Sequence, residues 1–308
     1  MKGLQLAQEY YTQIGEPMLR DRFGEIVDRI AVGFAGPGSE CFGFDDEISR
    51  DHDWGPAFCI WLTDDDYQKY GKDLRSAYEE LPKVFEGFGP RLASPGEEFR
   101  VGPCPTVTFY TIYLGINHLP STLKEWLAIP DASLATCTNG QVFSDPLGEF
   151  SRWREALLVF YPEDVRLKKI ASRCVTIAQS GQYNLPRSLK RGENFAAHWA
   201  VAQCCIDMMS LIFLLNKRYA PFHKWLHRAV KDLPLLGEWA HSTVIDLVSP
   251  TDLGQKVPVA EEACAIIIRE LRSQGLTDSS SDFLLDHGHS VHERISDDDL
   301  RRRFTIVS

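Results

Sequence analysis

The spacing of apolar residues changes near residue 149, and this change constrains the fold more than any other feature of the sequence. Before it, short apolar and β-branched runs alternate with stretches rich in Gly and Pro. After it, apolar residues recur at helical spacing in almost every segment, as in helices that each bury one face. The sequence therefore predicts an α+β fold, with a small mixed sheet and flanking helices over residues 1–148 and an all-α bundle over 149–308.

The individual elements follow from local patterns. Runs of β-branched and aromatic residues predict strands, and acidic residues or Ser at the start of an amphipathic segment predict helices. Predicted strands cover 31–35, 49–62 and 106–113, with a short strand or hairpin at 138–148. Predicted helices cover 2–30 with a break at 15–17, then 64–81, 119–130, 149–160, 163–180, 190–218, 221–232 and 258–274, with a break at 181–186 and short helices after 282 and 297.

Composition narrows the class of protein. Of the 308 residues, 44% are apolar and 25% are charged, as in an ordinary soluble domain. A net charge of −10 disfavours a sequence-independent grip on nucleic acid. No apolar run approaches the roughly 18 residues of a membrane span, and the N-terminus lacks the apolar core of a signal peptide. The eight cysteines include no Cys-x-x-Cys pair, so we expect reduced, buried thiols in a cytoplasmic protein with no membrane partner.

One stretch combines a glycine turn with paired acids. Gly38 and Ser39 follow the first predicted strand, and eleven residues separate Ser39 from Asp51-His52-Asp53. On a strand, Asp51 and Asp53 would lie on one face with Cα atoms roughly 6.6 Å apart. Divalent ions about 4 Å apart are the usual partners of such acids in phosphoryl-transfer sites. Because a glycine turn can offer N–H groups to phosphate oxygens, the stretch predicts a metal site beside a phosphate-binding turn.

This spacing resembles the signature of the polymerase-beta-like nucleotidyltransferase superfamily, in which a Gly-Gly or Gly-Ser turn precedes two carboxylates that flank one residue. The rest of the chain is similar to an uncharacterised bacterial family of that superfamily with a helical C-terminal domain. The segments that carry this second similarity are 142–145, 148–150, 181–187, 215–216 and 224–225. Together the two similarities cover most of residues 30–240.

The resemblance implies a reaction. Asp51 and Asp53 would bind one or two Mg²⁺ or Mn²⁺ ions, and Gly38 and Ser39 would contact the β- and γ-phosphates of a nucleoside triphosphate such as ATP. An acceptor would attack the α-phosphate in line and release pyrophosphate, with catalysis supplied by positioning and charge neutralisation. A small-molecule acceptor is favoured, and a protein or an RNA end is the alternative. The oligomeric state stays open.

The sequence departs from the superfamily at the third acid. Members usually carry a further carboxylate on a neighbouring strand, but the predicted strand 106–113 contains no Asp or Glu. Glu97 or Glu98 before that strand, or Asp145 or Glu149 after it, are candidates for the role. The absence of a carboxylate on this predicted strand is equally consistent with an acceptor that needs no base. It is also consistent with an inactive nucleotide-binding protein that acts as a sensor or assembly module.

Further candidates lie beside these motifs. His52 is expected to be a hydrogen-bonded core histidine, with a pH-dependent or acceptor-side role as the alternative. Tyr183, Asn184, Arg187 and Arg191 surround the predicted helix break and are candidate substrate contacts, with Tyr183 able to stack on a base. The alternative there is an ordinary turn between helices with exposed basic residues.

Overall fold

The chain folds into two compact units in a computed structural model that describes residues 1–92, 99–249 and 252–302. One unit joins Met1–Pro120 to Ser133–Val159, and the other joins Ser121–Ala132 to the chain from Phe160 onward. The first unit carries a four-stranded mixed sheet, and the described part of the second is helical. The predicted fold class is therefore confirmed. The division falls after Val159, later than the predicted boundary, and Ser121–Ala132 groups with the later residues.

The sheet consists of β1 (Ala31–Phe34), β2 (Cys59–Leu62), β3 (Gly102–Pro105) and β4 (Gln141–Ser144), in the order β3-β2-β1-β4. β1 is antiparallel to β2 and β4, and β2 is parallel to β3. The residues of β1, β2 and β3 are all buried, which explains their continuous apolar character.

Side chains of β2 alternate between two apolar layers. Ile60 and Leu62 pack with residues of the N-terminal helices such as Tyr10 and Leu19. Trp61 points the other way and stacks on Phe150, with ring centroids 3.6 Å apart. The sheet is therefore covered on both faces, and its strands hold the loops at its edge in fixed places.

The helices occupy most of the described chain. Their bounds are α1 Gly3–Tyr10, α2 Glu16–Phe23, α3 Asp64–Glu79, α4 Thr106–Leu114, α5 Leu123–Ala128, α6 Asp131–Thr138, α7 Glu149–Leu158, α8 Glu163–Ile177, α9 Leu185–Lys190, α10 Asn194–Leu215, α11 His223–Val230, α12 Gly237–Val248, α13 Lys256–Ser273, α14 Leu284–His292 and α15 Asp298–Arg301. Short 3₁₀ turns cover Val27–Arg29, Ile48–Arg50 and Leu253–Gln255, and π-helical turns cover Tyr11–Gly15 and Ala178–Asn184.

The predicted strand at 106–113 is wrong, because Thr106–Leu114 is the helix α4. Pro105 precedes it in an extended conformation, and Gly115 ends it with a φ of 72°. The side chain of Phe109 packs against Trp61, with ring centroids 5.5 Å apart. Tertiary packing of these aromatic residues therefore outweighs their preference for strands.

The predicted strand at 49–62 is correct only over Cys59–Leu62. Asp51 and Asp53 precede the strand and lie in a loop. The backbone there leaves the β region, with φ of 51° at Asp53 and 143° at Gly55. The alternation that would have placed both carboxylates on one face of a strand therefore does not apply.

The two predicted helix breaks are also wrong. Both positions are π-helical turns that continue directly into the next helix, at Tyr11–Gly15 and Ala178–Asn184. Pro17 and Pro186 lie in the first turns of α2 and α9, directly after the π-helical turns. Helices α6 and α12 lie outside the predicted helices.

Helix α8 is buried along most of its length although it is rich in cations. Arg166 pairs with Glu163 at 2.8 Å, Lys169 pairs with Asp131 at 2.8 Å, and Lys168 donates to the Leu300 carbonyl at 3.0 Å. These partners compensate the loss of hydration, as buried charges require.

Helix α10 is long and apolar enough to cross a membrane, by length and composition alone. This differs from the expectation that no apolar run approaches the length of a membrane span. In the structure, 72% of the apolar window is buried within the fold, as in the core helix of a soluble protein.

Candidate functional site

The loop from Gly36 to Gly55, here called the acidic loop, connects the antiparallel neighbours β1 and β2. Its first residues are held by the turn before β4. Gly36 donates its N–H to Asn139 Oδ1 at 3.1 Å, and Asn139 Nδ2 donates to the Gly36 carbonyl at 2.7 Å. Gly140 donates its N–H to the Cys41 carbonyl at 2.9 Å. The start of the loop is therefore fixed to the sheet.

The Gly38-Ser39 pair forms a tight turn. The Ser39 carbonyl accepts from the N–H groups of Phe42 at 3.2 Å and Phe44 at 2.9 Å. A Cβ atom at Gly38 would lie 2.4 Å from a carboxylate oxygen of Glu40, so this position requires glycine unless Glu40 moves. The expected glycine turn is present, and the Glu40 side chain packs against it.

Glu40 belongs to a buried ion pair. Arg91 Nη1 and Nη2 both lie 3.1 Å from Glu40 Oε1. The side chains are only 3% and 8% exposed for Glu40 and Arg91 respectively. The guanidinium also lies 5.5 Å from the centre of the Phe34 ring on β1. The pair therefore ties the glycine turn to the segment before β3.

The two predicted metal ligands differ in environment. Asp53 Oδ2 lies 2.8 Å from Arg100 Nη1, and the side chains are 11% and 17% exposed. The Asp51 side chain is 65% exposed and lies 2.7 Å from Nδ1 of His52. His52 is itself exposed, so the expectation of a core histidine is wrong. One acid is thus closed in by a cation, while the other faces solvent.

Arg91 and Leu92 join the two ends of the acidic loop. The Leu92 carbonyl accepts the N–H of Asp53 at 2.8 Å. A Cβ atom at Gly55 would lie 3.1 Å from the Arg91 nitrogen, so the backbones approach closely there. The same Arg91 side chain binds Glu40, the neighbour of Ser39. The glycine turn and the acid pair are therefore both attached to one short segment.

A phenol and two thiols lie at the same edge of the sheet. The hydroxyl of Tyr113 on α4 lies 3.8 Å from the position of a Cβ at Gly36. Burial raises the pKa of Tyr113, and it raises the pKa of the Cys59 thiol to about 12 and that of Cys41 well above its usual range. These groups therefore keep their protons at neutral pH, and neither thiol is an activated nucleophile.

The acid pair, as arranged, does not fit a bound magnesium ion. Asp53 is already neutralised by Arg100, and Asp51 turns to solvent beside His52. Among residues 1–92, 99–249 and 252–302, no three His, Cys, Asp or Glu side chains are grouped to hold a metal. We therefore derive no step through a metal ion from this geometry.

The candidates for a third acid have separate environments. Glu97 and Glu98 lie outside the described residues. Asp145 accepts from the Gly148 N–H at 2.9 Å and from the Ser151 N–H at 2.7 Å, so both carboxylate oxygens cap the start of α7. Glu149 is the first residue of α7, and burial raises its pKa.

The four candidate substrate contacts of the second unit are exposed. Tyr183 and Asn184 lie in the π-helical turn before α9, and Arg187 places its guanidinium 4.6 Å from the Tyr183 ring centre. Arg191 follows α9 and donates its N–H to the Arg187 carbonyl at 3.3 Å. One face of Tyr183 is therefore covered by a cation.

Sequence reasoning missed Glu40, Arg91 and Arg100 as members of the site. Arg91 and Arg100 lie in a stretch that reads as loop, and no local pattern connects them to the acids. Their contacts span 51 residues for Arg91 with Glu40 and 47 for Arg100 with Asp53.

Comparison with known proteins gives one match. A family model described as a domain of unknown function (DUF4037) matches residues 126–226. This span lies outside the acidic loop. No curated protein and no solved structure matches the chain.

Proposed function

We propose that the protein is a cytoplasmic nucleotidyltransferase that moves a nucleoside monophosphate from a nucleoside triphosphate to an acceptor. The observation that supports this most is the attachment of the Gly38-Ser39 turn and the Asp51-Asp53 pair to the same Arg91-Leu92 segment. Two motifs that the superfamily resemblance pairs in sequence are thereby also held by one element of the fold.

Arg100 gives the loop a group that suits a triphosphate. Its guanidinium forms an ion pair with Asp53 and is still 17% exposed. Phosphate oxygens bind a guanidinium in the same two-pronged manner as a carboxylate, so a triphosphate can compete with Asp53 for Arg100. In this proposal, the N–H groups near Gly38 and Ser39 and the Arg100 side chain contact the phosphates. The Asp53 carboxylate then becomes available on the acceptor side.

The Mg²⁺ or Mn²⁺ that the resemblance implies is tested by comparing turnover in either metal with turnover in EDTA. A small-molecule acceptor is favoured over an RNA end because the chain carries a net charge of −10. A protein acceptor remains the alternative.

A second function is favoured by a specific observation, the neutralisation of Asp53 by Arg100. A loop whose buried acid is permanently paired would bind a nucleotide without transferring it. The protein would then be a nucleotide-binding sensor or assembly module.

The test is incubation of the protein with each α-labelled nucleoside triphosphate and a cell extract, in Mg²⁺, Mn²⁺ or EDTA. Labelled product and pyrophosphate that disappear in Asp51→Asn and Asp53→Asn support the transferase. Asp65→Asn, an exposed acid at the start of α3, is the matched control and should stay active. Tight nucleotide binding without turnover under every metal would support the binding module. Absence of both binding and turnover would refute both functions.

A further inference from the structure

A cavity in the second unit is lined by a lysine that is mostly buried. The cavity has a volume of about 400 Å³. Its lining consists of His198, Val201, Ala202, Leu247, Val248, Ser249, Leu253 and Lys256. Lys256 is only 4% exposed. Within the described part of the chain, no hydrogen bond or ion pair engages its ammonium group.

Most of the Lys256 side chain is buried, and among the described residues no carboxylate forms an ion pair with its ammonium. Lys256 is the first residue of α13, an 18-residue helix. The turn before it is capped by Asp252, whose carboxylate accepts the Gly254 N–H at 2.9 Å. The positive charge that an anion would meet in the cavity is therefore that of Lys256 itself.

The other walls define the rest of the ligand. Five lining residues are aliphatic, and none is Phe, Tyr or Trp. The Ser249 hydroxyl donates to the Ile245 carbonyl at 2.7 Å, so it has no proton left to donate to a ligand. Besides Lys256, only His198 in the lining can carry a positive charge. A dianionic phosphate favours several donors, whereas a carboxylate needs one strong cation.

We propose that this cavity is a binding site for an aliphatic monocarboxylate, with the carboxylate at Lys256 and the chain along Val201, Leu247 and Leu253. The volume lies within the usual range for small-molecule sites, about 300–1,000 Å³. The site is independent of the proposed nucleotidyl transfer, since it uses none of the residues of the acidic loop.

The experiment is calorimetric titration of the full chain with sodium octanoate, 1-octanol and octyl phosphate. We expect octanoate to bind saturably and more tightly than the other two. From butanoate to octanoate, affinity should rise by about fourfold for each added methylene, until the cavity is filled. Octyl phosphate binding more tightly than octanoate would overturn the monocarboxylate assignment.

Variants measure the contributions of Lys256 and of the cavity walls to binding separately. Lys256→Met should weaken octanoate binding by about tenfold or more while 1-octanol binding stays the same. Lys231→Met, an exposed lysine of the same unit, is the matched control and should change neither. Ala202→Phe at the exposed part of the lining should block both ligands without removing a core side chain.

Two results of these titrations would contradict the proposed carboxylate site. No saturable octanoate binding to the wild-type chain would overturn the proposal. Equal octanoate affinity in Lys256→Met and wild type would overturn it too, and would identify Lys256 as a lysine that reaches solvent through the cavity mouth. If Lys256→Met does not fold, Lys256→Gln removes the charge instead, and Ala202→Phe tests the cavity independently of the lysine.

Discussion

The buried ion pair between Glu40 and Arg91 yields a sharp prediction about the acidic loop. Arg91→Met keeps the unbranched apolar part of the side chain but removes the guanidinium, and it leaves the Glu40 carboxylate buried at 3% exposure without a cation. Glu40→Gln does the converse and leaves the guanidinium unpaired at 8% exposure. Solvent screens neither group, so each single change exposes most of the desolvation cost.

The expected loss in the free energy of unfolding follows from the burial of the Glu40–Arg91 pair. Removing one partner of a buried pair typically costs about 3–5 kcal/mol, because the remaining charge stays in the interior. An exposed pair contributes about 0–1 kcal/mol. The chain contains such a control in Arg22 and Glu80, 2.6 Å apart with side chains 43% and 65% exposed. We therefore expect Arg91→Met to lower the free energy of unfolding of the first unit by several times the effect of Arg22→Met.

Urea unfolding of the wild-type chain and its variants, followed by circular dichroism and tryptophan fluorescence, measures these differences. The double variant Glu40→Gln/Arg91→Met should lose less than the sum of its single changes, since it removes both charges together. If Arg91→Met costs no more than Arg22→Met, the loop is not held by this pair. The argument that Arg91 fastens the glycine turn would then fail.

Three further predictions concern other parts of the chain. Asp145→Ala should lower the free energy of unfolding by about 1–2 kcal/mol in urea unfolding, since it removes the acceptor for two N–H groups at the start of α7. The eight buried cysteines should react with Ellman's reagent far more slowly at pH 8 in the native protein than in urea, because burial raises pKa values such as that of Cys59 to about 12; fast native labelling of Cys59 would contradict this. Burial and the neighbouring His227 lower the pKa of His241 below 6.5, so the unfolded chain binds more protons just below pH 6.5, and stability should be fully present above that pH and fall as the pH drops. Melting temperatures between pH 5 and 8 should show a shallower slope for His241→Gln than for wild type.

The sequence predicts those elements whose structure depends on their own residues. The strand at 31–34 and the helix at 64–79 follow from local apolar patterns and, for the helix, from Thr63, which accepts the Asp66 N–H as its cap. The segment 106–113 cannot be decided in the same way. A buried strand and a buried helix of this length have the same apolar composition, and here the packing of Phe109 and Tyr110 against Trp61 and Phe150 selects the helix.

The residues of the candidate site also differ in whether their own stretch of sequence predicts them. Gly38, Ser39, Asp51 and Asp53 can be found from their spacing because they lie within one loop. Arg91 and Arg100 cannot, since each meets its acid across about fifty residues of sequence. The expectation of a strand at Asp51 and Asp53 fails because the Leu92 carbonyl holds the Asp53 N–H, and Asp53 adopts a positive φ.

The position of β3 changes the question of the missing third acid. The neighbour of β2 is Gly102–Pro105 rather than 106–113, so a partner for the acid pair belongs at or just before Gly102. At that place the described chain has Arg100, whose guanidinium lies 2.8 Å from Asp53. In the proposed function, a cation there suits the phosphates of a nucleotide. Where the resemblance implies a third acid, the described chain would then supply a cation. The two proposed functions, nucleotidyl transfer and nucleotide binding without transfer, then differ in one respect. Only transfer requires the nucleotide to displace Asp53 from Arg100.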